Sequence, residues 1–190
     1  CSGQRCLSGS ILAPVGDVAD ELLEKFMTAA KNVKVGDGLD ENTAMGPVVS
    51  AAHKERVLGY IEQGIAEGAD LILDGRDCQV EGYPNGFFIG PTIFDNVTMD
   101  MKIAREEIFG PVVSIVRCKD LDEVINLINT RGFANAAFLY TNSGATASEF
   151  KYRVDPAMVG INIGIAAPMS FFPLGGSKES MFGDIKAHGE

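Results

Sequence analysis

An open, doubly wound α/β sheet with mainly parallel strands and helices on both faces is the fold class this sequence predicts. Short apolar, β-branched runs alternate along the chain with amphipathic stretches of helical period, and such crossovers cover both faces of a parallel sheet. With 190 residues, 46% of them hydrophobic, the chain is long enough to bury one good core. The Gly- and Pro-containing blocks with the most chemical content fall on connecting segments, where open α/β sheets gather their ligands.

Residues 8–15 read as the first strand. Asp17 then offers a cap to a helix that carries Val18, Leu22, Leu23, Phe26 and Ala30 on one face. A loop rich in Gly and Asp follows at 35–43, after which Ser50 offers an N-cap to a second amphipathic helix with Val57, Leu58, Ile61 and Ile65 at helical spacing. Residues 71–73, 87–94, 112–117 and 136–141 read as strands. Residues 121–130 and 145–154 read as helices, the first with Asp120 and Glu123 at capping-box spacing. There is no internal repeat, low-complexity run or Pro/Gly/Ser linker, so residues 1–190 are expected to form one domain.

A formal charge of −10 with no basic stripe argues against a nucleic-acid partner, because phosphate binding relies on clustered Lys and Arg. The apolar stretches at 112–116 and 158–167 are too short and too Gly-interrupted for a membrane span, which needs roughly 20 apolar residues. Four widely spaced cysteines (Cys1, Cys6, Cys78, Cys118) resemble neither a disulfide scaffold nor a zinc site, and with only His53 and His188 present no metal is expected. Reduced thiols in a cytoplasmic or, in a eukaryote, mitochondrial-matrix setting fit this usage. The chain begins with Cys rather than Met, close to its most informative motif, and is expected to be a piece of something longer.

That motif is Gly3-Gln4-Arg5-Cys6. Glycine lets the chain turn tightly, and neighbouring positive charge and backbone N–H groups favour a thiolate. An isolated cysteine would more often be a small buried hydrophobe. A second block, Glu106-Glu107-Ile108-Phe109-Gly110-Pro111-Val112, reads by itself as a helix end and a Gly-Pro turn into a buried strand. Gly175-Gly176-Ser177-Lys178 lacks the spacing of a phosphate cradle and reads as a loop contact; no G-x-G-x-x-G or G-x-x-x-x-G-K occurs.

These three blocks, in this order and spacing, resemble the catalytic half of the aldehyde dehydrogenase superfamily, and the resemblance runs along essentially the whole chain. It implies that Cys6 is the nucleophile: its sulfur attacks an aldehyde carbon, a hydride passes to the nicotinamide of NAD, and the thioester left on Cys6 is released by water or another thiol. It gives Glu107 the ribose hydroxyls of the nicotinamide half and sets Phe109 against the nicotinamide ring, with Glu106 a structural or solvated neighbour. It makes the Cys6 backbone N–H one oxyanion donor and places the second, a side-chain amide, before residue 1.

The segment Met181-Phe182-Gly183-Asp184, followed by His188-Gly189, resembles the CoA-acylating methylmalonate-semialdehyde branch, as do residues 142–147 and Arg5 beside the nucleophile. That branch implies CoA as co-substrate, malonate or methylmalonate semialdehyde as substrate and, for the latter, loss of carbon dioxide with release of propionyl-CoA. Arg5 would then pair with the substrate carboxylate, the alternative being an arginine that fixes the turn or tunes the thiol. Leu174, where the branch has Phe, and the less proline-rich loop 164–168 leave the particular semialdehyde open. A hydrolytic member of the superfamily, a catalytically silent domain and a cysteine hydrolase using His53 or His188 are the competing readings. The complete protein is expected to be a homodimer or homotetramer, and the 190 residues alone to turn over little or not at all.

Overall fold

The computed structural model of the chain describes residues 2–165, 167–169 and 171–182. It divides into two compact units, Cys1–Arg117 and Cys118–Glu190, at a point where the sequence carries no linker.

The first unit is built on a four-stranded sheet in the order β1-β4-β3-β2, from β1 (Ile11–Leu12), β2 (Asp70–Leu73), β3 (Thr92–Asp95) and β4 (Val112–Ile115). β1 and β3 both run parallel to β4, and β2 joins β3 antiparallel at the edge with a register shift between Leu71 and Leu73. Parallel pairing therefore dominates. Helix α1 (Ala19–Lys31) lies over one face: Leu23, Phe26, Met27 and Ala30 pack with Leu12, Ile93 and Ile115. Side chains alternate along a strand, so Phe94 points the opposite way and meets α2 (Ala51–Ala66) at Gly64, where a Cβ would stand 3.0 Å from the ring. Helix α3 (Lys102–Arg105) shares that side through Ile103. Helices on both faces of the sheet are thus realised in this unit.

Several expected boundaries move for identifiable reasons. The first strand proper is confined to Ile11–Leu12, with an isolated bridge at Val15, because Pro14 has no N–H to donate and Gly16, at φ +64°, starts a 3₁₀ turn over Gly16–Val18. Asp17 lies inside that turn and does not cap α1, whose N-cap is Val18 without a side-chain bond. The strand expected from residue 87 begins at Thr92, after Gly90-Pro91. There the chain passes so close to residue 75 that a Cβ on Gly75 would stand 2.0 Å from the Gly90 carbonyl oxygen. Ser50 caps α2 as expected, its hydroxyl accepting the His53 N–H at 3.2 Å.

Arg117, just after β4, ties the unit together. Its Nε and Nη2 donate to both carboxylate oxygens of buried Asp95 at 3.1 and 2.8 Å, and its Nη1 reaches Asp20 in the first turn of α1 at 2.8 Å. The Arg117 guanidinium holds the Asp95 carboxyl below the usual carboxylate range. A carboxyl with a lowered folded value stabilises the fold fully above its unfolded pKa, near about 3.9, and loses that contribution as the pH falls through the folded value. Arg117→Met is expected to cost about 2 kcal/mol at neutral pH, discounted from the cost of breaking a fully buried pair because Arg117 is partly exposed. Chemical denaturation of variant and parent should show the gap narrowing as the pH drops below about 4.

In the second unit, β6 (Ala136–Leu139) pairs parallel with β7 (Met158–Ile161) and β5 (Phe133–Ala134) antiparallel with β8 (Ser177–Lys178). Helices α4 (Leu121–Thr130) and α5 (Gly144–Arg153) pack on each other and bury Val124, Ile125 and Phe150. Asp120 caps α4 at the Glu123 N–H, while Glu123 reaches back to the Lys119 N–H rather than to the Asp120 N–H of an ideal capping box.

Candidate active site

The turn that carries Cys6 is fixed by close backbone approach. Gly3 has φ +70°, and a Cβ there would stand 2.0 Å from the Gly110 carbonyl oxygen. A Cβ on Gly110 would in turn meet Val57 of α2 at 2.7 Å. The turn, the Gly110-Pro111 bend and α2 are therefore stacked, with no room for side chains at the two glycines. Gln4 anchors the turn sideways, its Oε1 accepting the Val49 N–H at 3.1 Å, and the Ser8 N–H donates to the Arg5 carbonyl at 2.9 Å. Leu7 is buried beneath while Arg5 and Cys6 face outward. The Arg5 guanidinium makes no hydrogen bond or ion pair among the described residues.

Exposure separates the thiols. Cys6 is exposed, whereas Cys118 is buried and its thiol is pushed up to about 11, chiefly by burial and then by Glu123 and Asp120. Burial also raises the Cys78 thiol. Only the Cys6 position among these three suits a nucleophile that must be approached by substrate.

The second block leaves α3 at Glu106 and passes through Gly110-Pro111 into β4, as its bland reading anticipates. Its two glutamates differ. Glu106 Oε2 accepts the Tyr60 hydroxyl at 2.6 Å and lies 3.9 Å from Lys102 Nζ, so it is held on α2 and α3. Glu107 is exposed, and its carboxylate has no partner among the described residues, leaving it able to accept two hydroxyl hydrogens from a ligand. Phe109 is half-buried with φ +61°. For a bulky aromatic residue that is a true outlier, of the kind that concentrates at functional sites.

The sequence reading missed what holds this strained segment. Three side chains of α2 reach it: Arg56 Nη2 donates to the Glu107 carbonyl at 2.9 Å, Arg56 Nη1 to the Ile108 carbonyl at 2.6 Å, and His53 Nε2 to the Phe109 carbonyl at 2.6 Å, with Tyr60 on Glu106. The signal was present as His53, Arg56 and Tyr60, spaced three and four apart on one helical stripe. His53 thereby commits Nε2 to a carbonyl, a poor beginning for the general base of a cysteine hydrolase. His188, the other candidate base, lies outside the described residues, as do Gly183, Asp184 and Gly189 of the C-terminal motif.

Residues 1–190 match the model of the aldehyde dehydrogenase family throughout. The chain belongs to that family. This aldehyde dehydrogenase chain is 49% identical over 189 residues to malonate-semialdehyde dehydrogenase 1 of Oceanobacillus iheyensis, covering 100% of itself and 39% of that protein. It is 50% identical to malonate-semialdehyde dehydrogenase 1 of Geobacillus thermodenitrificans, covering 99% of itself and again 39% of the relative. Among solved structures it is similar to a Sinorhizobium meliloti protein crystallised with NAD and assigned as a methylmalonate-semialdehyde dehydrogenase. That pair has a TM-score of 0.96 and 40% identity, over 99% of this chain and 38% of that one. It is likewise similar to the methylmalonate-semialdehyde dehydrogenase of Oceanimonas doudoroffii, with a TM-score of 0.95 and 39% identity over 99% of this chain and 39% of that one. The chain thus spans about two-fifths of the length of these relatives.

Within the aldehyde dehydrogenase chain, Gly175-Gly176-Ser177-Lys178 is structural at its polar end. Ser177–Lys178 forms β8, and Lys178 Nζ donates to the Asn129 carbonyl at 2.5 Å and lies 3.2 Å from Asp155. The same unit exposes Ile163, Ile165, Met169, Phe171 and Phe172. No helix among the described residues is long and apolar enough to cross a membrane.

Proposed function

We propose that the complete protein carrying these residues oxidises malonate or methylmalonate semialdehyde with NAD through a thioester on Cys6, and that CoA accepts the acyl group. The observation that carries this reading is the packing of the exposed-cysteine turn, by Gly3, directly on Gly110, the neighbour of Phe109. The Glu107 carboxylate and the Phe109 ring have the chemistry to hold a nicotinamide nucleotide, one by accepting ribose hydroxyls and the other by bearing on a flat ring. When bound, NAD would supply the hydride acceptor.

The Cys6 sulfur adds to the aldehyde carbon, and the Cys6 backbone N–H would be one donor to the oxygen that gains charge. Loss of the hydride from the resulting thiohemiacetal leaves an acyl thioester on Cys6, and for methylmalonate semialdehyde the bond to the carboxylate then breaks, releasing carbon dioxide, with a proton taken up at the vacated carbon to leave a propionyl group. Attack by the CoA thiol then breaks the carbon–sulfur bond to Cys6 and returns its thiolate. A guanidinium exposed one residue from the nucleophile, with no protein partner among the described residues, is suited to the carboxylate that distinguishes these semialdehydes from simple aldehydes.

NADH formation by the complete protein with either semialdehyde, with and without CoA, tests the reading. Turnover that requires CoA supports it, and turnover indifferent to CoA favours the hydrolytic alternative. Arg5→Met is expected to raise KM for the semialdehyde by about tenfold to a hundredfold, the range for losing a charge-assisted contact, while leaving KM for propanal nearly unchanged. Assembly as a homodimer or homotetramer and a cytoplasmic or matrix setting belong to the same reading.

A further inference from the structure

We propose that His53 and Arg56 of α2 are positioning residues that hold the Glu107–Phe109 segment in its ligand-ready conformation, so that they govern NAD affinity without touching NAD. The inference rests on the reading of Glu107 and Phe109 given above.

The segment between α3 and β4 belongs to neither helix nor sheet, so its carbonyls have no ladder partners. All three consecutive carbonyls, of Glu107, Ile108 and Phe109, are nevertheless satisfied, and every donor comes from two side chains of one helix. A carbonyl only accepts, so His53 Nε2 carries a proton in this arrangement. The His53 ring also meets the Phe109 ring edge-on, with centroids 6.3 Å apart and planes at 72°. A left-handed aromatic residue persists only where its surroundings over-determine it, and these contacts do so on both its backbone and its ring. The template is rigid: Val57 and Ile61 of α2 are fully buried. Arg56 is itself steadied over the Tyr60 ring, its guanidinium carbon 4.9 Å from the ring centroid. With its peptide drawn toward α2, Glu107 keeps an exposed carboxylate.

The test measures NAD dissociation constants, steady-state constants and thermal midpoints of the complete protein for His53→Phe, His53→Gln, Arg56→Met, Arg56→Lys and Glu107→Ala. His53→Phe and Arg56→Met are each expected to weaken NAD binding about tenfold, the range for one or two lost hydrogen bonds, with KM for the aldehyde little changed. His53→Gln, whose amide N–H can replace the Nε2 donor, should recover most of the affinity, and Arg56→Lys, which keeps one donor of two, should recover part. Weakened binding by Glu107→Ala alongside unchanged binding by His53→Phe and Arg56→Met would overturn the clamp alone. Unchanged binding by Glu107→Ala would overturn the cofactor reading and the clamp with it. Failure of Gln to rescue a folded His53 site would reduce the contact to general stability and overturn the proposal. Should the Phe and Met variants not fold, wild-type NAD affinity in Arg56→Lys would overturn it, and weakened affinity there would support it.

Discussion

Replacing Cys6 with alanine in the complete protein removes aldehyde oxidation by at least about 10⁴-fold, the scale seen when a covalent nucleophile is deleted, while NAD affinity stays within about twofold. The expectation follows from exposure and position. Cys6 sits outward on a turn anchored by Gln4 at the Val49 N–H and by Leu7 in the interior. Cys118 is buried with its thiol raised to about 11, and Cys78 is raised by the same cause, so neither offers a substitute thiolate. An alanine at position 6 is smaller than the cysteine and faces solvent, so the fold is expected to hold; the thermal midpoint checks that. Turnover surviving the substitution would remove Cys6 as the nucleophile.

Gly3→Ala is expected to reduce turnover about a hundredfold with Cys6 still in place, since a nucleophile displaced by as little as about 1 Å can lose that much rate. Two independent costs act at this residue. A φ of +70° disfavours any L side chain, by about 1–2 kcal/mol. The new Cβ would also sit 2.0 Å from the Gly110 oxygen and 2.8 Å from its carbonyl carbon, both backbone atoms that cannot rotate away. The turn must lift, and Cys6 moves with it. Gly9, a few residues on, has no positive φ, and a Cβ added there would meet nothing within 4 Å, so Gly9→Ala should leave kcat and KM near their original values. Equal effects at the two glycines would show that the Gly3–Gly110 approach is not what places the nucleophile.

What was legible in the sequence was local. Ser50 and Asp120 cap helices through bonds spanning three residues, and the side-chain chemistry alone signals them. Gly3 announced a tight turn before Cys6 for the same reason. What escaped was set by distant contacts. The antiparallel placement of β2 depends on its partner β3, some twenty residues away in sequence, and an apolar run carries no sign of direction. The left-handed backbone of Phe109 contradicts the preference of an aromatic residue, and it is imposed by His53 from more than fifty positions upstream. Asp17 failed as a cap because Gly16, at positive φ, opens a 3₁₀ turn that pushes the helix start past it. The stripe of His53, Arg56 and Tyr60 was visible in the sequence but its purpose was not, because its main acceptors are backbone carbonyls, which every residue possesses and no composition reveals.

The central claim is that Cys6 carries the acyl group between oxidation and release. It is tested most directly by mixing the complete protein with NAD and methylmalonate semialdehyde in the absence of CoA, quenching in acid, and locating the adduct by peptide mass spectrometry. The expected result is an acyl thioester on the peptide containing Cys6 that disappears when CoA is added before the quench. An adduct on a different residue, or NADH formed in the first turnover with no acyl group on Cys6, would contradict it.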